Sequence, residues 1–269
     1  MGAISSIFSA SSAVVDDCIR TSVHFVAKRF VFAPPSLIEY NTVDEDKKKY
    51  IRSKNLNMIE MLICKPNIIS SHKILIFAHG NASNNAYMYK YLKYLSEQLE
   101  AVVVGFDYQG YGYSQGACSE QNCYDDIQSV VEYFLKQGIK QDNIILIGQS
   151  LGTGVVMDFV SKNNWTTAVI LISPYESIFR VVVDEDSTLM YTNTLTIYDM
   201  FDTQDKTANI RCPIKIFHGE NDTVIDITHS KNLFKSLPNK DFQPTWIKNC
   251  GHNDILMKID LNEINEIIY

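Results

Sequence analysis

The feature that most constrains the fold is a series of short, continuous runs of branched and aromatic apolar residues, each closed by a glycine, proline or polar turn. "LNMIEMLICKP" (56–66), "KILIFAHG" (73–80), "AVVVGFDYQGYG" (101–112), "NIILIGQ" (143–149), "TAVILISP" (167–174), "PIKIFHGEND" (213–222) and "PTWIKNCGH" (244–252) all fit it. Such runs suit strands buried on both faces, the condition of a parallel sheet between two helical layers. Helical patterns fall between most of them, at 87–100, 120–138, 151–162, 226–236 and 253–268. The expected architecture is therefore α/β: one unit over 36–269, a mostly parallel sheet with helices on both faces, and a short cap-like excursion at about 175–210. In such sheets the reactive groups gather beyond the carboxyl ends of the strands. His79-Gly80, Asp107, Ser150, Pro174, His218-Gly219 and Gly251-His252 all lie there.

Composition narrows the function classes. A net charge of −7 with 20% charged residues leaves no dense basic patch, and Lys47-Lys48-Lys49 reads as a solvated loop, so nucleic acid is not an expected partner. The six cysteines are scattered, form no C-x-x-C pair and have no histidine at zinc-finger spacing. They read as reduced cytosolic thiols, and neither metal nor organic cofactor is expected.

Residues 1–35 form a distinct appendage. Val15, Ile19, Val23, Val26 and Phe30 line one helical face, and "APP" (33–35) ends the pattern because proline cannot extend a helix. The chain opens with "MGAISS", which matches the myristoylation pattern at Gly2 and Ser6. Two readings stand side by side: a helix packed on its own domain, or an interfacial helix beside an acylated Gly2 with Cys18 as a second lipid site. No apolar run approaches the ~20 residues of a membrane-spanning helix, so the expected location is cytoplasmic or peripheral on a membrane.

Gly148-Gln149-Ser150-Leu151-Gly152 is G-x-S-x-G between a strand and a helix. A sharp turn there holds the serine hydroxyl outward, its small neighbours permit close packing, and the helix N-terminus favours developing negative charge. A serine needs a base. His252 follows the last strand in "NCGHND" and is preferred over His24, His72, His79, His218 and His229; His218 is expected to shape the acid loop. For the acid, "GENDTVID" offers Asp222, with Glu220 as the weaker alternative and Asp226 as a helix N-cap. The order serine, aspartate, histidine is that of α/β-hydrolases. The Leu151 and Asn81 backbone N–H groups are the candidate oxyanion donors, with His79 and Gly80 letting the loop approach. Asp107, Tyr108, Gly110 and Gly112 are expected to shape the pocket wall.

With these residues assembled, the chain resembles the α/β-hydrolase domain-containing protein 17 group, acyl-protein thioesterases that remove palmitate from cysteine. "FVFAPP", "FAHGNA", "FDYQGYGYSQG", "NIILIGQSLGTG", "AVILISPYES", "IFHGENDTVIDITHS" and "CGHND" carry the resemblance, from about residue 30 to 255. It implies Ser150 as nucleophile, Asp222 as acid and His252 as base. That group also carries an N-terminal cluster of palmitoylated cysteines, reduced here to Cys18, so Gly2 acylation stands as the substitute anchor. The expected activity is hydrolysis of a fatty-acyl thioester or ester on a protein or lipid. A monoacylglycerol or lysophospholipid esterase is the second enzyme reading, and a non-catalytic binding protein of this fold is the rival from another class.

Overall fold

Alternation along each strand decides the architecture. Ile74, Ile76 and Ala78 join one apolar cluster while Leu75 and Phe77 join another, and Ile144/Leu146 against Ile145/Ile147 repeat the division. A strand that feeds two cores must have helices on both sides. The computed structural model describes residues 31–36, 47–182 and 199–269. The expected helix at 15–30, Gly2, Cys18 and the middle of the cap-like excursion lie outside the described residues.

Eight strands form one sheet: β1 (Lys48–Arg52), β2 (Met58–Cys64), β3 (Ile74–Ala78), β4 (Val102–Phe106), β5 (Ile144–Gln149), β6 (Val169–Ile172), β7 (Ile214–Gly219) and β8 (Thr245–Ile247). Their spatial order is β1-β2-β4-β3-β5-β6-β7-β8. β1 and β2 run antiparallel to their neighbours, and every pairing from β4 to β8 is parallel. The order reverses between β3 and β5, the switch point at which α/β sheets open a crevice beyond their carboxyl ends. Ala78 pairs with Gly148 there, so the loops at Gly80 and Ser150 leave side by side.

Helix α1 (Asn85–Leu99) follows β3 and buries Met88, Leu92, Leu95 and Leu99 in the same cluster as Leu75 and Phe77. The Asn84 side chain accepts from the Tyr87 N–H at its start, and Glu100 in the left-handed region ends it. α2 (Glu120–Lys136) is capped by Ser119 and stops before Gly138, which has φ +85°. α3 (Leu151–Lys162) packs with α2 on the opposite face, whereas α6 (Leu261–Ile268) joins α1. α4 (Ile178–Val182) and α5 (Ile227–Ser236) complete the labelled helices among the described residues, and Asp226 caps α5 as expected, accepting from Thr228 N–H at 2.8 Å. The two ends of the cap-like excursion are tied together: Ile178 N–H donates to Met200 O, and Thr203 N–H to Glu176 O.

Two expectations need correction. Lys48 and Lys49 are not loop residues but begin β1, where charged side chains suit a strand at the sheet's margin. The helix expected over 253–268 is confined to 261–268, with a single 3-10 turn at Ile255–Met257 before it. The Asp254 carboxylate accepts the Gly251 N–H at 2.7 Å and closes a tight turn, and Asp260 supplies a fresh N-cap, so the chain restarts its helix there.

The five described cysteines are free thiols: Cys64, Cys123, Cys212 and Cys250 are buried and Cys118 is half-buried. Burial pushes the Cys64 thiol up to about 11 and the Cys212 thiol up to about 12, and raises those of Cys118, Cys123 and Cys250.

Leu92 is wholly buried between α1 and the sheet, whereas Tyr94 on the same helix is exposed. Leu92→Ala is expected to cost about 2–5 kcal/mol, and Tyr94→Ala to stay within about 0.5 kcal/mol, both read by urea unfolding of the full chain.

Candidate active site

Ser150 is one of seven non-glycine residues with positive φ among the described residues. It has φ +49° and ψ −118°, a conformation outside the regions that L-residues occupy freely. Such strain costs on the order of 1–3 kcal/mol and survives only where packing over-determines it. Here it does: a Cβ on Gly152 would sit 2.0 Å from the Ala78 carbonyl oxygen, and one on Gly148 2.6 Å from Gly152 O. The Ser150 N–H donates to Ile172 O at 2.9 Å, fastening the turn to β6, and Ser150 O accepts from both the N–H and the hydroxyl of Thr153. The hydroxyl is thereby held at the N-terminus of α3, where the helix dipole favours negative charge.

Two segments distant in sequence converge on it. His252 Nε2 lies 3.1 Å from Ser150 Oγ, and His252 Nδ1 lies 2.7 Å from Asp222 Oδ2. A carboxylate only accepts, so Nδ1 carries the proton and Nε2 presents its lone pair to the serine hydroxyl. Asp222 Oδ1 accepts the N–H groups of Val224 and Ile225, each at 2.9 Å. A second histidine adds to this: His218 Nε2 is 2.9 Å from Ile225 O and 3.3 Å from Asp222 Oδ2, while its Nδ1 bonds Ser230 Oγ. Burial of Asp222 would raise its pKa, but the hydrogen bonds from His218, His252 and the Ile225 amide outweigh that. The carboxyl is held well below the usual carboxylate range.

The other expected residues fall out unevenly. Glu220 is exposed and its N–H donates to Ile247 O, so Asp222 alone of the acid candidates meets His252. His72 is exposed, and His229 is buried against Glu176 at 3.1 Å. Gly80 lies against the serine, since a Cβ on it would be 3.4 Å from Ser150 Cβ and 3.8 Å from Gln149 Cδ. Asn81 follows at once, and among the described residues neither its N–H nor that of Leu151 has a protein acceptor.

Asp107 and Tyr108, expected in the pocket wall, are both wholly buried. Asp107 Oδ1 accepts the Asn85 N–H at 2.7 Å, and Tyr108 donates its hydroxyl to His79 O at 2.8 Å. The wholly buried His79 lays its ring 4.4 Å from that of Tyr108 and bonds Gly80 O through Nδ1. Sequence reasoning missed the Asn81 side chain. Its Oδ1 accepts from Tyr111 OH, Ala33 N–H and Ala82 N–H, and its Nδ2 donates to Val31 O. No periodicity or spacing links positions 33, 81 and 111, so no sequence signal could have found that cluster. Among the described residues no group of three or more His, Cys, Asp or Glu side chains could hold a metal ion, and no helix is long and apolar enough to cross a membrane.

Comparisons with known proteins agree with the fold. Residues 73–184 match the model of the alpha/beta hydrolase fold family, and residues 194–257 match one described as serine aminopeptidase, S33. A protein of Acanthamoeba polyphaga mimivirus named as an alpha/beta hydrolase is 39% identical over 275 aligned residues, covering 100% of this chain and 98% of its own. Human alpha/beta hydrolase domain-containing protein 17C is 35% identical over 193 residues; the match covers 71% of this chain and 55% of that protein. The solved esterase Pf2001 of Pyrococcus furiosus shares the fold with a TM-score of 0.67 at 17% identity, over 87% of this chain and 98% of that one.

Two outcomes are expected. Gly152→Ala, which has no room against Ala78 O, should displace the turn and abolish labelling of Ser150 by a fluorophosphonate, read by mass spectrometry beside a thermal melt. Asp222 has a depressed folded pKa, so its stabilisation is present above its unfolded value of about 3.9 and is lost as pH falls toward the folded one. Asp222→Asn should therefore be less stable than wild type at pH 7, with the gap narrowing below about pH 4 in urea titrations.

Proposed function

Because the chain belongs to the alpha/beta hydrolase family, we propose that it is a serine hydrolase acting through an acyl-enzyme on Ser150. The observation that carries this reading is the alignment of Ser150 Oγ, His252 and Asp222 at 3.1 and 2.7 Å. His252 Nε2 takes the hydroxyl proton as Oγ attacks the acyl carbonyl. The resulting oxyanion lies between the N–H groups of Asn81 and Leu151, donors worth about 10²–10³ each in rate. His252 returns the proton to the departing thiol or alcohol, and the acyl group stays on Oγ. A water deprotonated by the same imidazole then attacks the ester, releases the carboxylic acid and restores the serine. Asp222 keeps the ring in the tautomer the first step needs and stabilises the imidazolium that follows.

For the substrate we propose a fatty-acyl thioester, with protein depalmitoylation as the physiological reaction. The support is the resemblance to the domain-containing protein 17 group, which the 34–35% identities to proteins 17B and 17C strengthen. These relatives are longer, and the chain spans little more than half of the human 17C protein.

The test is hydrolysis by the full chain and by Ser150→Ala of a palmitoyl-cysteinyl peptide, a short p-nitrophenyl ester and a monoacylglycerol. Wild type should prefer the thioester, and Ser150→Ala should lose roughly 10⁴-fold or more in kcat. Preference for the monoacylglycerol selects the lipid-esterase reading. Equal activity of Ser150→Ala sinks the nucleophile assignment, and absence of both turnover and fluorophosphonate labelling leaves a binding protein.

A further inference from the structure

The Asn81 carboxamide makes four hydrogen bonds, and only one is to its own loop. Oδ1 receives the Tyr111 hydroxyl at 2.7 Å, the Ala33 N–H at 2.9 Å and the Ala82 N–H at 3.0 Å, while Nδ2 donates to Val31 O at 2.7 Å. The side chain therefore joins three segments: the N-terminal stretch at 31–33, the loop after β3, and the glycine-rich loop after β4. The amide orientation is chemically forced, because its oxygen faces three donors and its nitrogen faces a carbonyl.

The N-terminal stretch is suited to act as a fixed bracket. Pro34 and Pro35 have no N–H, so Ala33 is the last donor before Ser36, and the prolines hold the backbone extended. Phe32 anchors it in the core, almost fully buried, with its ring edge-on to Phe201 at 6.0 Å. Tyr111, wholly buried, braces the opposite side. The backbone N–H of the same Asn81 is the oxyanion donor in the mechanism above. A displacement of ~1 Å in a catalytic group costs on the order of 10²-fold in rate, so whatever fixes this residue sets the rate.

We propose that the Asn81 side chain is a positioning residue through which docking of residues 31–33 sets the oxyanion donor, so that turnover depends on the docked N-terminal stretch. This rests on the hydrolase reading. It couples catalysis to a part of the chain that touches no reacting atom.

The experiment measures kcat and KM of the full chain on p-nitrophenyl butyrate for Asn81→Ala, Phe32→Ala, Tyr111→Phe and the double variant Asn81→Ala/Phe32→Ala. Rates are normalised to competent sites by end-point fluorophosphonate titration, which removes any misfolded fraction. Asn81→Ala should lower kcat about tenfold to a hundredfold with KM within about twofold, the signature of an interaction lost in the transition state. Phe32→Ala and Tyr111→Phe should lower kcat less and in the same sense. The double variant should fall no further than Asn81→Ala, because both substitutions break one coupling. Unchanged kcat in Asn81→Ala, a rise in KM alone, or additive losses in the double variant overturn the proposal while Ser150-dependent hydrolysis stands. If Asn81→Ala yields no competent sites, unchanged kcat in Phe32→Ala and Tyr111→Phe overturns it equally. Activity that survives Ser150→Ala overturns the hydrolase reading and this inference with it.

Discussion

The carboxyl edge of the sheet depends on one steric constraint: α3 begins so near β3 that residue 152 has no space for a side chain. This contact pulls the β5–α3 turn tight and forces Ser150 into its strained backbone state. It also sets the turn directly against Gly80 on the adjoining strand's loop. A serine hydroxyl, a helix N-terminus and a second loop of backbone donors thus arrive together because two backbones touch. The strain is sustained by the packing of two helical layers on the parallel strands, whose side chains feed both cores.

Around this turn the supporting groups are buried and directional. Asp107 holds the start of α1, Tyr108 holds the His79 carbonyl, and Tyr111 braces Asn81. Asp222 is gripped by two backbone amides and by two imidazoles, one of which belongs to a wholly buried residue. A carboxylate in so dense a set of donors neither rotates nor gathers a proton readily. The imidazole above it, bonded through Nδ1 to that carboxylate, is thereby held with Nε2 toward the serine.

Much of this was readable in the sequence, for physical reasons that differ by element. The central strands announced themselves because burial on both faces demands unbroken apolar runs, as in "KILIFA" and "NIILIG". Ser150, Asp222 and His252 followed from the chemistry of their turns and from the carboxyl-edge rule. β1 escaped notice because a marginal strand with lysines at its start shows neither alternation nor an apolar run. The last helix is shorter than its pattern implies because the periodicity of 253–268 continues through a turn that the Asp254 carboxylate closes. Contacts such as Asn81 with Ala33 and Val31 are long-range and polar, and single side chains carry them. Local patterning holds no trace of such pairs.

The described thiols add a last consequence, one of chemical selectivity. A cysteine competes as a nucleophile only through its thiolate, and burial raises the pKa of every described cysteine, including Cys250 two residues from His252. An electrophile reaching the sheet's carboxyl edge therefore meets the Ser150 hydroxyl facing an imidazole, while burial disfavours the thiolate form of each described cysteine. Under the proposed mechanism an activated carbonyl bound there would pass to oxygen and then to water, without being diverted onto the protein's own described thiols.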